Sequence, residues 1–283
     1  MKVGSLNIEI LSEGRFEMFR DGHINRAPEE DSPESNGPEI DTQSSIVGIN
    51  PILVQQNSKN ILLDTGLGWG LDAGSDNKHV SNVRTNLSIF GLEPADITHV
   101  ILSHLHYDHA AGCSYSDNES KTRPTFPNAT YYLHQKEWEY ALSQVKTSFD
   151  KPGAGYQLDD LYRLIADGHI TLLRDDQTEI TEGISTILSG GHTAGHQIVH
   201  MKSNDESAYY LSDLLPSSSH LNHYSMRGLD LYPLEAKKQK VQLLNKAYEE
   251  QAILLFYHSK HSQSGRLIKD DDKQFVLADI PQG

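Results

Sequence analysis

Three histidines and an aspartate stand within six consecutive residues of this 283-residue chain, in the stretch SHLHYDHAAG at 103–112. They are His104, His106, Asp108 and His109. Imidazole nitrogens and carboxylate oxygens are the ligands that zinc and its neighbouring transition metals prefer. Such a cluster is a poor way to build an apolar core, because every buried polar group needs a partner. The spacing therefore indicates a metal site.

The residues before this cluster indicate how it is presented. Residues two apart on a helix point to different faces, so His104 and His106 are expected on an extended segment. The run HVIL at 99–102 is apolar without polar alternation, which is typical of a short strand buried on both faces. His104 would then stand at the carboxyl end of that strand, where open α/β sheets hold their ligand sites.

Further candidate ligands follow other apolar runs, because four neighbouring residues cannot complete two coordination spheres. A glycine-rich turn, ILSGGHTAGHQIVH, carries two histidines between two strand-like runs. The runs AYYLS and AILLFY each end in a further candidate. The candidates at these ends are His192, His196, Asp213 and His258, with His261 as a weaker competitor.

The rest of the chain alternates short apolar runs with helical patterns. A stripe that starts at Val80 predicts a helix closed by Gly91 as its C-cap. A second stripe starts at Trp138, and a third starts at Leu234, with Pro233 at a plausible first helical position. This order of elements favours an α/β architecture. The expected strands are 52–56, 60–64, 98–103, 129–133, 184–189, 197–202, 208–213 and 252–257.

Three polar stretches without periodicity are predicted loops. Residues 21–46 are acidic and rich in proline and serine, which predicts a surface loop or a flexible arm. Residues 114–127 and 147–157 are predicted loops for the same reason. The apolar pattern resumes with the same character on either side of each, so residues 1–283 are expected to form one domain. A homodimer formed through the 21–46 arm is compatible with the sequence.

Composition narrows the classes of partner. The formal net charge of −15 argues against a nucleic-acid groove, which needs clustered lysine and arginine. No run approaches the roughly 18 apolar residues of a membrane helix, and the first residues lack the apolar core of a signal peptide. The single cysteine, Cys113, excludes an intramolecular disulfide and fits a reducing cytoplasm. We expect a cytoplasmic protein with a small-molecule substrate, no membrane and no nucleic acid, and Cys113 as a small buried residue.

The ordered motifs resemble those of the metallo-β-lactamase superfamily over nearly the whole chain. They are the His-x-His-x-Asp-His cluster at 104–109, GHTAGH at 191–196, Asp213 and His258, with an early Asp-Thr-Gly turn in ILLDTGLG. The resemblance implies an α/β fold, a four-layer αβ/βα sandwich, with a dinuclear metal site on the rim between two β-sheets. The stretches LSDLLPSSSHL, DLYPLEAKKQ and LLFYHSKH are most similar to the quorum-quenching N-acyl-homoserine lactonase branch.

Carried over to this chain, the resemblance implies a set of seven ligands. The first metal would be held by His104, His106 and His196, the second by Asp108, His109 and His258, and Asp213 would bridge them. The expected cofactors are two divalent ions, zinc first, with manganese or iron as alternatives that this donor set also suits.

Two further residues are implied to support these ligands without binding metal. Asp64 is expected to fix the tautomer of a ligand histidine from behind. His192 is expected to have a structural or supporting role.

The implied activity is that of a metal-dependent hydrolase that opens lactones of the N-acyl-homoserine type. Two cations about 3.5–4 Å apart acidify a bridging water and polarise a carbonyl, so no serine or cysteine nucleophile is required. Asp108 and Asp213 are the expected catalytic residues, with Asp108 passing a proton to the leaving oxygen. The segment 214–232 is expected to line the pocket together with residues 21–46. Ester, thioester or phosphotriester hydrolysis, and less favoured an iron-dependent oxygenase, are the alternatives.

The chain departs from the lactonase pattern at two positions. Pro216 stands where these lactonases often carry a tyrosine that hydrogen-bonds the substrate carbonyl. Tyr224, Tyr107 or a metal alone is left for that role. Ser259 follows His258 where an aspartate is common, so support for that ligand is expected to differ.

Overall fold

The computed structural model describes residues 1–19, 23–27, 44–147, 156, 158–222 and 225–278. Its helices are α1 (Val83–Ile89), α2 (Tyr107–Ala110), α3 (Gln135–Thr147), α4 (Asp159–Ala166) and α5 (Pro233–Glu249). Its strands are β1 (Lys2–Val3), β2 (Leu6–Ile10), β3 (Gly14–Phe19), β4 (Ile24–Arg26), β5 (Ser44–Ile49), β6 (Ile52–Gln56), β7 (Lys59–Leu63), β8 (His99–Ile101), β9 (Ser114–Ser116), β10 (Thr122–Pro124), β11 (Thr130–His134), β12 (Ile170–Leu173), β13 (Gln177–Thr181), β14 (Ile184–Leu188), β15 (Gln197–Ser203), β16 (Glu206–Tyr210), β17 (Ile253–Leu255), β18 (Ser264–Lys269) and β19 (Phe275–Ala278). The described helices are too short or too polar for any of them to span a bilayer.

Two seven-stranded sheets form the centre of the described structure. The first has the order β1–β2–β6–β7–β8–β11–β12, and its strands from β7 to β12 run parallel. The second has the order β13–β14–β15–β16–β17–β18–β19 and is antiparallel except for the pair β16 and β17. A three-stranded sheet, β4–β3–β5, and the hairpin of β9 and β10 lie outside these two.

Three apolar clusters define the layers. The cluster between the sheets contains side chains of β2, β6, β7 and β8 from the first sheet and of β14 to β17 from the second. Another cluster joins the outer face of the first sheet to α1, α3 and α4. The last joins the outer face of the second sheet to α5. Helices, sheet, sheet and helix follow one another, which confirms the predicted αβ/βα sandwich; a single domain over residues 1–283 stays a prediction.

Helix α1 shows how local sequence signals set an element's ends. It begins at Val83 instead of Val80 because Asn82 caps it: the Asn82 side chain accepts from the Thr85 N–H at 3.1 Å. The Thr85 hydroxyl oxygen accepts in return from the Asn82 N–H at 2.9 Å, which completes a reciprocal cap. Gly91 ends the helix at φ +70°, in the left-handed region that glycine adopts without strain, as predicted.

The predicted loops were partly wrong. Residues 114–127 contain the hairpin of β9 and β10, and residues 21–46 contain β4 and the start of β5. Strands β4, β9 and β10 are three residues long, too short to show alternation, and their formation depends on pairing with a partner. Helix α4 was not predicted. Most of the predicted loop at 147–157 lies outside the described residues.

The hydroxyl of Tyr131 tests how much a buried hydrogen-bonding group contributes to this fold. It donates to the Cys113 carbonyl oxygen at 3.0 Å and accepts from the Phe126 N–H at 3.1 Å. Tyr131→Phe leaves both backbone groups buried without this partner, so we expect unfolding free energy to fall by about 1–3 kcal/mol. Urea unfolding measures it, with Tyr162→Phe on the exposed face of α4 as control. Equal stability of the two variants would contradict this account.

Candidate metal centre

Side chains with ligand chemistry meet where strands of both sheets end on one rim. In the first sheet, Asp64 follows β7 and His104 comes three residues after β8. In the second sheet, Asp213 follows β16 and His258 follows β17, while the turn between β14 and β15 carries His192. The predicted meeting of ligands from separate strand ends is therefore present in the structure.

The first cluster consists of three imidazoles. Nε2 of His104 lies 2.9 Å from Nδ1 of His106, and Nε2 of His192 lies 3.1 Å from that same Nδ1. The three nitrogens all lie within 4.8 Å of one another. Ligand nitrogens around a tetrahedral zinc ion, at about 2.0–2.1 Å from the metal, are separated by about 3.3 Å. The spacing suits three ligands of one ion.

The second cluster consists of Asp108, His109 and His258. Oδ2 of Asp108 lies 3.4 Å from Nε2 of His258 and 3.6 Å from Nε2 of His109. The extended segment that bears the first histidines turns into α2 at Tyr107, and this single helical turn redirects Asp108 and His109 toward the second group.

Asp213 lies between the two clusters and contacts both. Its Oδ1 lies 3.3 Å from Nε2 of His109 and 3.0 Å from Nε2 of His258. Its Oδ2 lies 3.3 Å from Nε2 of His192. One carboxylate thus faces each cluster with a different oxygen, the placement expected of a bridging ligand.

The structure places His192 in the first cluster, whereas His196, the expected ligand, lies outside that group. The backbone N–H of Asp213 donates to Nε2 of His196 at 3.2 Å. Nδ1 of His196 lies 2.6 Å from the Ser189 hydroxyl. Both ring nitrogens of His196 are therefore engaged by hydrogen bonds, and the ring supports the loop of Asp213. Its sequence spacing alone did not distinguish the two histidines.

A fully buried carboxylate, Asp64, organises the first sheet's contribution. Its oxygens accept from the Ser103 N–H at 2.7 Å, the Ser103 hydroxyl at 2.6 Å and the Tyr210 hydroxyl at 2.5 Å. The Nδ1–H of His109 donates to it at 2.8 Å. Its left-handed φ of +55° is strained for a residue other than glycine, and these contacts hold it there. As expected from the sequence, Asp64 lies behind a histidine of the second cluster and sets its tautomer.

Two other histidines are oriented in the same way. Nδ1–H of His258 donates to the Gly48 carbonyl oxygen at 2.9 Å, and Nδ1–H of His192 donates to Asp230 at 3.0 Å. Since a neutral imidazole carries only one N–H, the Nε2 lone pairs of both rings face the centre.

Burial keeps the first cluster neutral. It lowers the pKa of His106 and of His192 to about 3 in each case, and holds the pKa of His104 well below its usual range. For Asp213, burial opposes ionisation, but His258 and His192 hold its pKa well below the ordinary value. At neutral pH the first cluster thus offers neutral nitrogens beside the ionised Asp213, the protonation states that metal ligands need. In the second cluster burial opposes protonation, but Asp108 and Asp64 raise the pKa of His109 well above its ordinary value, so a metal bound there would displace a proton.

Two orphaned oxygens test whether metal ions fit this site. Oδ2 of Asp108 and Oδ1 of Asp213 are buried, and neither has a hydrogen-bond donor. Both oxygens face imidazole lone pairs at 3.0–3.4 Å, a repulsive arrangement unless cations lie among them. The donor set of nitrogens and carboxylate oxygens therefore fits two divalent cations.

Sequence reasoning missed Glu137 of α3, which joins the two loops that carry the first cluster. Its Oε1 accepts from the N–H of Leu105, between two ligands. Its Oε2 accepts from the Thr193 hydroxyl at 2.6 Å and from the Gly195 N–H at 3.0 Å, in the loop of His192. Burial raises the pKa of this carboxyl, and these donors oppose the shift. No spacing in the sequence links a glutamate of a helix to these turns.

Arg227 and Asp230 were also missed as individual residues, although both lie in the segment expected to line the pocket. Asp230 accepts from His192, and Arg227 contacts Asp213. The one feature of the sequence that could have pointed to them is their position between Asp213 and helix α5.

Two tyrosines were expected to replace the missing one as hydrogen-bond donor to the substrate carbonyl. Tyr107 is half-buried and packs with apolar side chains between the sheets, and Tyr224 lies outside the described residues. The Ser259 hydroxyl accepts from the Ser218 N–H at 3.3 Å, so it supports the loop after Asp213. Cys113 is fully buried, as predicted, and burial raises the pKa of its thiol to about 12.

The chain belongs to the metallo-beta-lactamase superfamily, whose family profile matches residues 46–258. A curated relative from Azorhizobium caulinodans, N-acyl homoserine lactonase AttM, is 32% identical over 120 residues, 38% of this chain and 36% of that protein. The matched stretch thus spans little more than a third of that relative's length. A structure described as a probable metal-dependent hydrolase from Staphylococcus aureus is 25% identical, with a TM-score of 0.74 over 100% of both chains. AidC, a dizinc quorum-quenching lactonase, is 20% identical, with a TM-score of 0.72 over 100% of this chain and 97% of that one.

Replacing Glu137 by glutamine tests its positioning role. The amide turns one acceptor into a donor that faces N–H or O–H groups, so we expect about 1–3 kcal/mol lower stability and faster loss of metal to a chelator. Urea unfolding and metal release against EDTA measure the two effects. The exposed Glu139→Gln in the same helix is the matched control. Unchanged metal release in Glu137→Gln would show that the loops hold their positions without this carboxylate.

Proposed function

We propose that this chain is a dinuclear metal-dependent hydrolase that opens lactones, N-acyl-homoserine lactones foremost. The observation that carries the proposal is Asp213, one buried carboxylate that faces two clusters of ligand atoms with its two oxygens. A centre of two adjoining cations suits hydrolysis of an ester bond, because both the attacking and the leaving oxygen can be stabilised. The lactonase names of the curated relatives support this choice of substrate.

The ligand set we propose differs by one residue from that expected from the sequence. His104, His106 and His192 would hold the first metal, Asp108, His109 and His258 would hold the second, and Asp213 would contact both. We propose zinc as the metal, because nitrogen and carboxylate ligands suit it; the dizinc neighbour AidC is in keeping with this. When bound, the two ions supply an acidified water and polarise a carbonyl oxygen.

The chain's own residues orient these groups and manage the proton. Hydrolysis of a lactone adds water to the carbonyl carbon and breaks the ring C–O bond, and the leaving alkoxide takes up a proton. Asp108 would take a proton from the attacking water and pass it to the leaving oxygen, because its carboxylate lies in the centre beside His109 and His258. Asp64, Asp230 and Gly48 hold the histidines behind the centre, so the ligand geometry is set before substrate binds.

Other hydrolases of the same fold are the main alternatives. The same centre could hydrolyse an ester, a thioester or a phosphotriester, since an acidified water can attack the carbonyl carbon or phosphorus of any of them. An iron-dependent oxygenase is less favoured, because the second cluster of Asp108, His109 and His258 is present in full. Elemental analysis separates these classes, with two zinc ions expected in a hydrolase and one iron ion in the oxygenase.

A pair of matched variants tests the exchange of His196 for His192. We expect His192→Gln to bind about one metal ion fewer per chain, because it removes a nitrogen of the first cluster. His196→Gln should keep two ions, because its ring nitrogens are engaged by Ser189 and Asp213. Elemental analysis after desalting measures both. The reverse pattern would restore His196 to the ligand set.

A weakly buffered indicator assay tests the reaction itself. Opening of N-hexanoyl-homoserine lactone releases one proton per turnover at neutral pH, and the metal-loaded protein should catalyse it. Asp213→Ala should lower kcat/KM at least about 100-fold, because it removes the shared carboxylate. Asp205→Ala, in an exposed turn, is the control. If the fully metallated protein turned over a thioester or phosphotriester but no lactone, the lactonase proposal would fail.

A further inference from the structure

Arg227 places a permanent positive charge at the edge of the metal centre. Its Nη2 lies 3.3 Å from Oδ2 of Asp213, and its Nη1 donates to the backbone carbonyl oxygen of the same residue. Nη1 also lies 3.7 Å from Oδ1 of Asp230, the carboxylate that accepts from His192. The guanidinium therefore stands on the side of Asp213 that faces the first cluster.

The segment that leads to Arg227 is held in place by a buried lysine. Nζ of Lys240, in α5, donates to the carbonyl oxygens of Asn222 at 2.9 Å and Ser225 at 3.1 Å. Only 5% of Lys240 is exposed, and a buried ammonium group requires acceptors of this kind. These bonds tie the backbone before Arg227 to a helix, so the guanidinium is presented from an anchored segment.

Carboxylates surround the guanidinium of Arg227 on the side of the metal centre, and Lys240 is a second cation near it. Asp108, Asp213 and Asp230 lie in or beside the centre, within a chain of net charge −15. A substrate that gains negative charge there would be repelled by these carboxylates unless cations face it. An arginine has five N–H donors, and two hydrogen bonds to Asp213 leave others unused; 17% of the Arg227 side chain is exposed, so a ligand can reach it.

We propose that Arg227 binds the oxygen atom that begins as the carbonyl oxygen of the substrate and ends as a carboxylate oxygen of the ring-opened product. The inference rests on the proposed function and deepens it, because it makes Arg227 a residue that selects substrates yielding a carboxylate. A charge-assisted hydrogen bond from guanidinium strengthens as negative charge develops on that oxygen. It also suits the planar carboxylate of the product, which an arginine fork can bind with two N–H groups.

The chemical step leaves this oxygen bonded to the same carbon throughout. Water adds to the carbonyl carbon, the ring C–O bond breaks, and the leaving oxygen takes up a proton to become a hydroxyl. The second proton of the water passes to solvent as the acid ionises. The product is a hydroxy acid whose carboxylate remains opposite Arg227.

Calorimetric titration of metal-loaded protein with N-hexanoyl-homoserine, and separately with hexanoate, tests the inference. Hexanoate carries the carboxylate but needs no lactonase chemistry. Arg227→Gln should weaken binding of both at least tenfold, and Arg227→Lys should fall between Arg227→Gln and the wild type. All variants should retain two metals by elemental analysis. Arg163→Gln, which removes a surface arginine paired with Asp167, is the matched control and should bind both ligands like the wild type.

The outcomes separate this inference from the proposed function. If Arg227→Gln bound both ligands as tightly as the wild type, or lost a metal, Arg227 would be a support for Asp213 and the inference would be overturned. If the wild type bound no carboxylate, the inference would also fail. If the wild type opened no lactone but bound hexanoate through Arg227, carboxylate recognition by Arg227 would be supported while the lactonase proposal failed.

Discussion

The rest of the structure depends on a buried meeting of histidine nitrogens and carboxylate oxygens, which cations between them would stabilise. Imidazole nitrogens of both clusters face carboxylate oxygens of Asp108 and Asp213 at 3.0–3.6 Å, and two of those oxygens have no donor. Such an arrangement costs free energy in the chain alone, because buried acceptors are left facing one another. Divalent ions bound there would remove this cost, and the relief would add to the free energy of metal binding. The fold thus holds the candidate ligands in place at a cost in its own stability.

Two buried carboxylates, Asp64 and Glu137, hold the segments that carry the clusters in position. Asp64 accepts five hydrogen bonds and joins β7, the segment after β8, α2 and β16 behind the second cluster. Glu137 does the same for the first cluster, where it joins α3 to the loops of Leu105 and Thr193. In each case a charge that would be expensive to bury is satisfied by several donors, and those donors lie in the segments that carry ligands. These hydrogen bonds thus fix the candidate ligands relative to the strands from which they project.

The segment after Asp213 couples this centre to its surroundings. It supplies Asp230 to orient His192 and Arg227 to contact Asp213, and Lys240 anchors its backbone. Exposed apolar side chains follow in the same stretch, at Leu229, Leu231 and Tyr232. One segment thus supplies both the polar contacts to the centre and these exposed apolar side chains.

The sequence alone determined those features that depend on the spacing of nearby residues. The cluster at 104–109, the strands that precede the candidate ligands and the end of helix α1 at Gly91 all follow from periodicity and residue chemistry within a few positions. The αβ/βα sandwich was implied by the resemblance of the ordered motifs to a known family. The choice between His192 and His196 was not, because both share one turn and differ only in which partner their nitrogens meet across the fold. The contacts of Glu137 and Arg227 likewise depend on tertiary structure, since their partners lie in distant segments or across a loop. No local pattern of residues predicts which carboxylate or guanidinium the folded chain brings to a buried site.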